Sequence, residues 1–320
     1  MSSAPTRPTR LTFVVVVFEA EQDLLRLQAA SLARHLDPAI AARIVVLDQS
    51  RPPITGRARR RLLAAYGPLA DRVDIVTTPP AADGWISQQV LKLTIADDVD
   101  TSHYVVLDAK THAVGPVDLD TFFSPDGHAH LRWYRYDGHP MESRVARTAA
   151  WLGLPAEVVR EELPATTTPF VFVTDEVRAL VRHVEQREGA TFDAAFRSAG
   201  LIEFPLYSLW LLRNGALEQL HDRDELRCPT VWAGSRGADD VRSVLAQVDR
   251  EPVARFLAVH RSAFARLSPS ASMALVRWWV DRGLFGSRMG ALRFMVRARA
   301  RIVVATVRSR VRSRVFASRG

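Results

Sequence analysis

The chain has a single cysteine, Cys228, among its 320 residues. That excludes an internal disulfide and fits a reducing compartment. Gly-x-Ser-x-Gly, P-loop and Gly-x-Gly-x-x-Gly motifs are missing. Serine-hydrolase, P-loop and standard dinucleotide-binding readings therefore have no support. The apolar run after the polar start MSSAPTRPTR, Leu11–Phe18, is too short for a membrane span and reaches Glu19 without a small-residue cleavage pattern. The expectation is a cytoplasmic protein with a flexible segment at residues 1–10.

Residues 286–320 lack acids altogether but hold ten arginines. The formal charge of +8 is therefore a property of the tail. Removing those ten leaves 43 − 10 = 33 basic against 35 acidic residues, or −2. A nucleic-acid partner needs basic charge spread over a folded surface, so none is expected for the body. In the tail, Leu292, Val296, Val303, Val307 and Val311 fall on one helical side with arginines on the others. Two accounts stand: a basic amphipathic helix on an anionic membrane surface, or a disordered solvated tail. The first would place the protein peripherally at the inner face of the membrane.

What is present is an alternation of element types. Leu11–Phe18 and Arg43–Leu47 read as buried strands and Val73–Thr77 as a third strand, separated by helical patterns at Gln22–Leu36 and Arg57–Tyr66. Such alternation predicts a mostly parallel sheet flanked by helices. Farther on, Ala129–Tyr136 and Phe170–Val173 read as strands. Helices are expected at Pro140–Leu152, Pro155–Glu162, Glu176–Glu188, Phe192–Ala199, Phe204–Asn214, Asp239–Val248, Glu251–Ala265 and Ser270–Arg282. The fold class is α/β, with a body at 11–285, a helical C-terminal portion and a tail at 286–320.

The most informative stretch is Gly84–Pro116. A helix offers Gln88, Gln89 and Lys92 as donors within one and a half turns. A strand, His103–Leu107, then ends on Asp108, where ligands sit in open α/β sheets. Asp108 either meets a ligand or caps the next turn. Asp108, Lys110 and His112 share a face if the backbone stays extended. A carboxylate and an imidazole there, Asp108 and His112, would begin a site for Mn²⁺ or Mg²⁺, with a third ligand from His221 or Asp222. His128 and His130 lack a partner at metal-ligand spacing and read as a polar loop entering a strand.

Gly-Trp-x-x-Gln-Gln-x-x-Lys-Leu followed by Leu-Asp-Ala-Lys-Thr-His resembles an uncharacterised family of bacterial proteins regarded as glycosyltransferases with a GT-A-like fold. The resemblance runs from about Leu11 to Phe285 and includes Thr168–Phe172 and Glu203–Tyr207. It implies a nucleotide-sugar donor, a glycan or lipid-linked acceptor, and a place in polysaccharide or envelope synthesis. It also implies that the helix with Trp85, Gln88, Gln89 and Lys92 lines the donor pocket. Glu203 is then the candidate catalytic base, Asp108 lies beside the donor diphosphate, and Tyr207 forms an acceptor-side wall. Glu19 and Asp48, at strand ends, would line the nucleotide. GT-A enzymes end the strand in Asp-x-Asp; here the third position is Lys110, which either neutralises a diphosphate directly or faces solvent. A non-catalytic nucleotide- or glycan-binding adaptor at the membrane is the alternative. A nucleotidyltransferase would want a basic, glycine-rich loop where this chain has Phe18-Glu19-Ala20-Glu21.

Overall fold

A computed structural model describes residues 7–79, 83–223 and 226–317, with side chains up to Arg308. The expectations for residues 1–6, and for the side chains of Val311, Arg310, Arg312, Arg314 and Arg319, lie outside that range. The strands are β1 (Leu11–Val17), β2 (Ala41–Asp48), β3 (Val73–Thr77), β4 (His103–Asp108), β5 (Thr111–Ala113) and β6 (Ala129–His130). They continue with β7 (Trp133–Arg135), β8 (Glu162–Pro164), β9 (Phe170–Val173), β10 (His221–Asp222), β11 (Thr230–Val231) and β12 (Phe256–Val259). The helices are α1 (Gln22–His35), α2 (Gly56–Tyr66), α3 (Gly84–Thr94), α4 (Glu142–Trp151), α5 (Thr174–Glu188) and α6 (Phe192–Ala199). After them come α7 (Glu203–Arg213), α8 (Leu217–Leu220), α9 (Ala238–Arg250), α10 (Arg261–Arg266), α11 (Pro269–Asp281) and α12 (Arg288–Ala317).

The protein is mixed α/β, with a main sheet ordered β3-β2-β1-β4-β9. Strands β1 to β4 are parallel and β9 is antiparallel. Every residue of β1 is buried, and the β-branched run LTFVVVV suits a strand covered on both faces. The register brings the carboxyl ends level: Val17 pairs with Asp48, Asp48 with Thr77, and Val16 with Asp108. The chain fills one side of β1 with β2 and β3, then crosses to β4 on the other. The crevice between the ends of β1 and β4 is therefore the topological switch point, where open α/β sheets bind ligands.

Two glycines set the helices that flank this crevice. Gly84 opens α3 against Phe18, just past β1; a Cβ there would lie 3.0 Å from the Phe18 ring. Gly200, at φ 65°, ends α6 in the left-handed region, and after this reversal α7 starts with Glu203 pointed at the sheet.

Three expectations need correcting. Ala129–Tyr136 is not one strand: β6 pairs with β10, whereas β7 pairs with β8. Pro155–Glu162 forms only a 3₁₀ turn at Ala156–Arg160 before β8. Glu251–Ala265 is not one helix; only its last five residues are helical, at the start of α10. Its centre is β12, paired with β5 and β11, because pairing with two neighbours overrides the helical propensity of its alanines and leucine.

The arginine-rich helix α12 packs against the body. α12 buries Ala291, Phe294, Met295, Ala298 and Ile302 in a second core built on α9, α11 and Trp279. Ion pairs hold its flank: Arg297 and Arg301 reach the buried Asp23 at 2.9 and 2.8 Å, and Arg308 reaches Glu19 at 2.8 Å. Among the described residues no helix is long and apolar enough to cross a membrane.

If α12 is part of the core, Phe294→Ala should cost about 3 kcal/mol of stability, the usual range for emptying a buried phenylalanine site. Urea unfolding measures this. A solvated tail would show no change.

Candidate functional site

At the switch point a lysine is buried between two carboxylates. Lys92, from α3, is 3% exposed. Its ammonium donates to Asp108 Oδ1 at 3.2 Å and to Glu203 Oε1 at 3.3 Å. The other Asp108 oxygen accepts from Lys110 Nζ at 2.5 Å. Four side chains from α3, β4, the β4–β5 turn and α7 thus form one chain of charges, Lys110–Asp108–Lys92–Glu203.

Each member is braced. The Gln89 side-chain carbonyl accepts from Glu203 N at 3.3 Å, and its amide donates to Trp85 O at 3.0 Å. The Tyr104 hydroxyl donates to Lys92 O at 2.9 Å, and the Lys92 ammonium lies 5.0 Å from the Phe204 ring centre. The turn carrying Lys110 is pinned by the fully buried Gln28 of α1, which donates to both Asp108 O and Thr111 O at 2.7 Å. Val259 N donates to Lys110 O at 3.3 Å, so β12 brings His260 and Arg261 to the same turn.

Electrostatics separates the two carboxylates. Burial alone would raise the Asp108 carboxyl, but Lys110 and Lys92, both hydrogen-bonded to it, hold it well below the usual range. Burial also dominates at Glu203; there, with Lys92 attracting and Asp108 repelling, the carboxyl stays raised. Burial opposes charge on Lys92, yet Asp108 and Glu203 together raise it. The result is a permanently charged Asp108 beside a more basic Glu203. A pair of titratable groups driven apart in this way is a recurrent basis for acid–base chemistry.

More groups join than the sequence indicated. Glu21, just after β1, is raised by burial and feels Arg261, Lys110 and Asp108. Burial pushes the Cys228 thiol up to about 12 and lowers His260 to about 4; both feel Lys110 and Asp108. Glu21 stands two residues beyond Glu19, and an apolar Phe-Leu-Ala-Val run before His260-Arg261 is a strand-end signal.

Of the anticipated residues, Gln89, Lys92, Asp108, Lys110 and Glu203 do converge, and Gln88 is half-buried on the same helix. Trp85 is 42% exposed beneath the Arg144 guanidinium. Four others lie elsewhere. Glu19 pairs with Arg308. Asp48 is fully enclosed, accepting from Ser50 N at 2.9 Å and Ile54 N at 2.5 Å, so it closes a turn and is out of ligand reach. Tyr207 is core: its hydroxyl accepts from Val173 N at 3.1 Å and shares a 2.9 Å hydrogen bond with His221. His112 points into the second core, where Trp279 donates to it at 3.0 Å, because the backbone turns at Ala109–Lys110 and does not stay extended.

These placements bear on the metal. Lysines occupy both Asp108 oxygens, His112 faces away, and Asp222 pairs with His130 at 2.8 Å. Among the described residues no three His, Cys, Asp or Glu side chains come together to hold an ion. The residues present do not fit a divalent metal at Asp108.

A family of unknown function, DUF6492, has a model that matches residues 8–241, which is 234 of the 320 residues. The chain belongs to that family. The match spans the Lys92 cluster but not His260, Arg261 or α12. No curated protein matches the chain.

Lys92→Met should cost about 3–5 kcal/mol, because it leaves the buried Glu203 without its cation and facing Asp108. The penalty should depend on pH. Glu203 is already raised above 4.5, and without Lys92 it rises further, so at neutral pH it is ionised at a cost. As pH falls toward 4.5 it takes up a proton and the cost disappears. The stability gap to wild type should therefore be large at pH 8 and shrink with acidification. A gap that does not vary with pH would sink this account.

Proposed function

We propose that the switch-point site binds a nucleotide-diphospho-sugar in a GT-A-like arrangement and transfers its sugar to an acceptor hydroxyl without a metal ion. The observation that carries this reading is the Lys110–Asp108–Lys92–Glu203 chain at the carboxyl ends of β1 and β4. Its members supply the two kinds of group such a transfer needs: fixed positive charge for a leaving diphosphate, and a carboxylate of raised basicity.

In the transfer step, Glu203 accepts the proton of the acceptor hydroxyl. The oxygen forms a bond to the anomeric carbon as the bond from that carbon to the diphosphate oxygen breaks. The diphosphate leaves with the electron pair, and Lys110 and Arg261 offset its charge, as a point ammonium and a guanidinium can. Asp108 does not touch the proton; it holds the two ammonium groups in place. Lys92 keeps Glu203 oriented.

A second reading is a nucleotide- or glycan-binding adaptor without turnover. Saturation of both Asp108 oxygens by lysines favours it, since a spent carboxylate binds no metal and activates no donor.

Thermal shift against nucleoside diphosphates and nucleotide sugars tests both. A ligand at 100 times its Kd adds about 2.7 kcal/mol. We expect a shift that EDTA leaves unchanged and Asp108→Ala abolishes. Glu203→Gln should retain the shift while lowering transfer by about 10²–10⁴-fold, the range for loss of a general base. Donor binding with no turnover in wild type would establish the adaptor. No shift with any nucleotide would remove both readings.

A further inference from the structure

α12 carries a second apolar stripe, and this one faces outward. Met289, Val296 and Val303 recur every seven residues, and Val307 follows four later; they are 58%, 68%, 48% and 54% exposed. At 3.6 residues per turn this stripe lies roughly half a turn from the buried one of Ala291, Phe294, Met295, Ala298 and Ile302. Scattered exposed valines are ordinary, but a continuous row along one helix face marks a contact surface.

Its surroundings are cationic. On α2, which packs on α1 beside α12, Arg57, Arg60 and Arg61 share one exposed face, opposite the buried Leu62. Between α1, α2 and α12 lies a cavity of about 60 Å³ lined by Gln22, Asp23, Arg26, Arg61 and Arg301. Asp23 is the single carboxylate in that lining, and it already serves Arg26 at 3.6 Å as well as Arg297 and Arg301. Three guanidinium groups in the lining against one carboxylate leave a surplus of two charges. Arg26 Nε is buried with no hydrogen-bond partner among the described residues. Arginine outnumbers acid around this cavity, which adds to the positive charge of the face.

We propose that this face docks on an anionic lipid bilayer: the Met289–Val307 stripe enters the interface, and the exposed arginines of α2, with Arg288 and Arg293 of α12, meet lipid phosphates. A row of apolar residues between cationic flanks is the composition of an interfacial helix. A protein partner would need acids across the whole basic face. A second copy of this chain would set these arginines against each other. The docking stands independently of the chemistry at Asp108.

Vesicle co-sedimentation of the full chain tests it. Binding is expected to phosphatidylcholine mixed with phosphatidylglycerol, to be absent with phosphatidylcholine alone, and to weaken as salt rises. Val303→Asp with Val307→Asp should weaken binding about tenfold or more. Arg57→Gln, Arg60→Gln and Arg61→Gln together should cost about fivefold for each charge removed. All five positions are exposed, so an unchanged melting curve confirms that the variants fold. Equal binding to neutral vesicles, or no loss in the valine variant, overturns the proposal. So does a dimer in sedimentation velocity that the valine variant breaks while vesicles go unbound.

Discussion

The ammonium of Lys92 is the interaction on which the site depends. A charge at 3% exposure costs several kcal/mol to desolvate, and only partners of opposite sign in good geometry offset that. Here two carboxylates provide it, one from the end of β4 and one from the start of α7. Neither carboxylate could move away without stranding the lysine. The relative positions of α3, β4 and α7 are therefore held by charge as well as by packing. Their one variable is the proton on Glu203, the member whose affinity for it burial raises.

The chain uses lysine almost nowhere else. Of its 43 basic residues only Lys92 and Lys110 are lysines, leaving 43 − 2 = 41 arginines, and both lysines bond the same aspartate. A guanidinium is a wide planar fork suited to bidentate pairing; an ammonium is compact and can sit between two carboxylates in a tight space. Arginine serves this protein everywhere else, against solvent, carbonyls and acids alike, as at Arg178, Arg223 and Arg299. Lysine remains where geometry demands a point charge. This compositional signal was legible in the sequence, and it marks the site more sharply than the helix motif does.

Strands β1, β2 and β4 were legible because sheets covered on both faces leave unbroken apolar runs, and the first polar residue after each run marks its carboxyl end. β3, at the sheet edge and partly exposed, showed only as a short β-branched segment. Asp108 could be nominated as the polar residue ending such a run, Lys92 as a donor on the preceding helix, and Glu203 through the family resemblance alone. Their mutual contact could not, since residues 92 and 203 meet only through the packing of α3 against α7. The misplacements have local causes. His112 was referred to the Asp108 face by an extended-backbone rule that fails once Gln28 pulls two carbonyls into a turn. Asp48 ends a strand as Asp108 does, but its oxygens are consumed by the backbone of residues 50 and 54. Identical positions on the sheet thus carry different roles, decided by which loop folds over them.

α12 shows why a helix can mislead when judged by one face. Its outward valines were visible in the sequence, and its inward Phe294 and Met295 lay hidden among arginines that looked like a solvated row. The two stripes oppose each other, so the helix as a whole has no single apolar side, although each face has a definite function. Arg308 joins this helix to Glu19, in the same 3₁₀ turn that two residues later delivers Glu21 to the switch point. α12 and the turn that closes the crevice between β1 and β4 are thus joined by an ion pair at 2.8 Å. Under the proposed docking, the bilayer would press on the one helix whose ion pair anchors that turn.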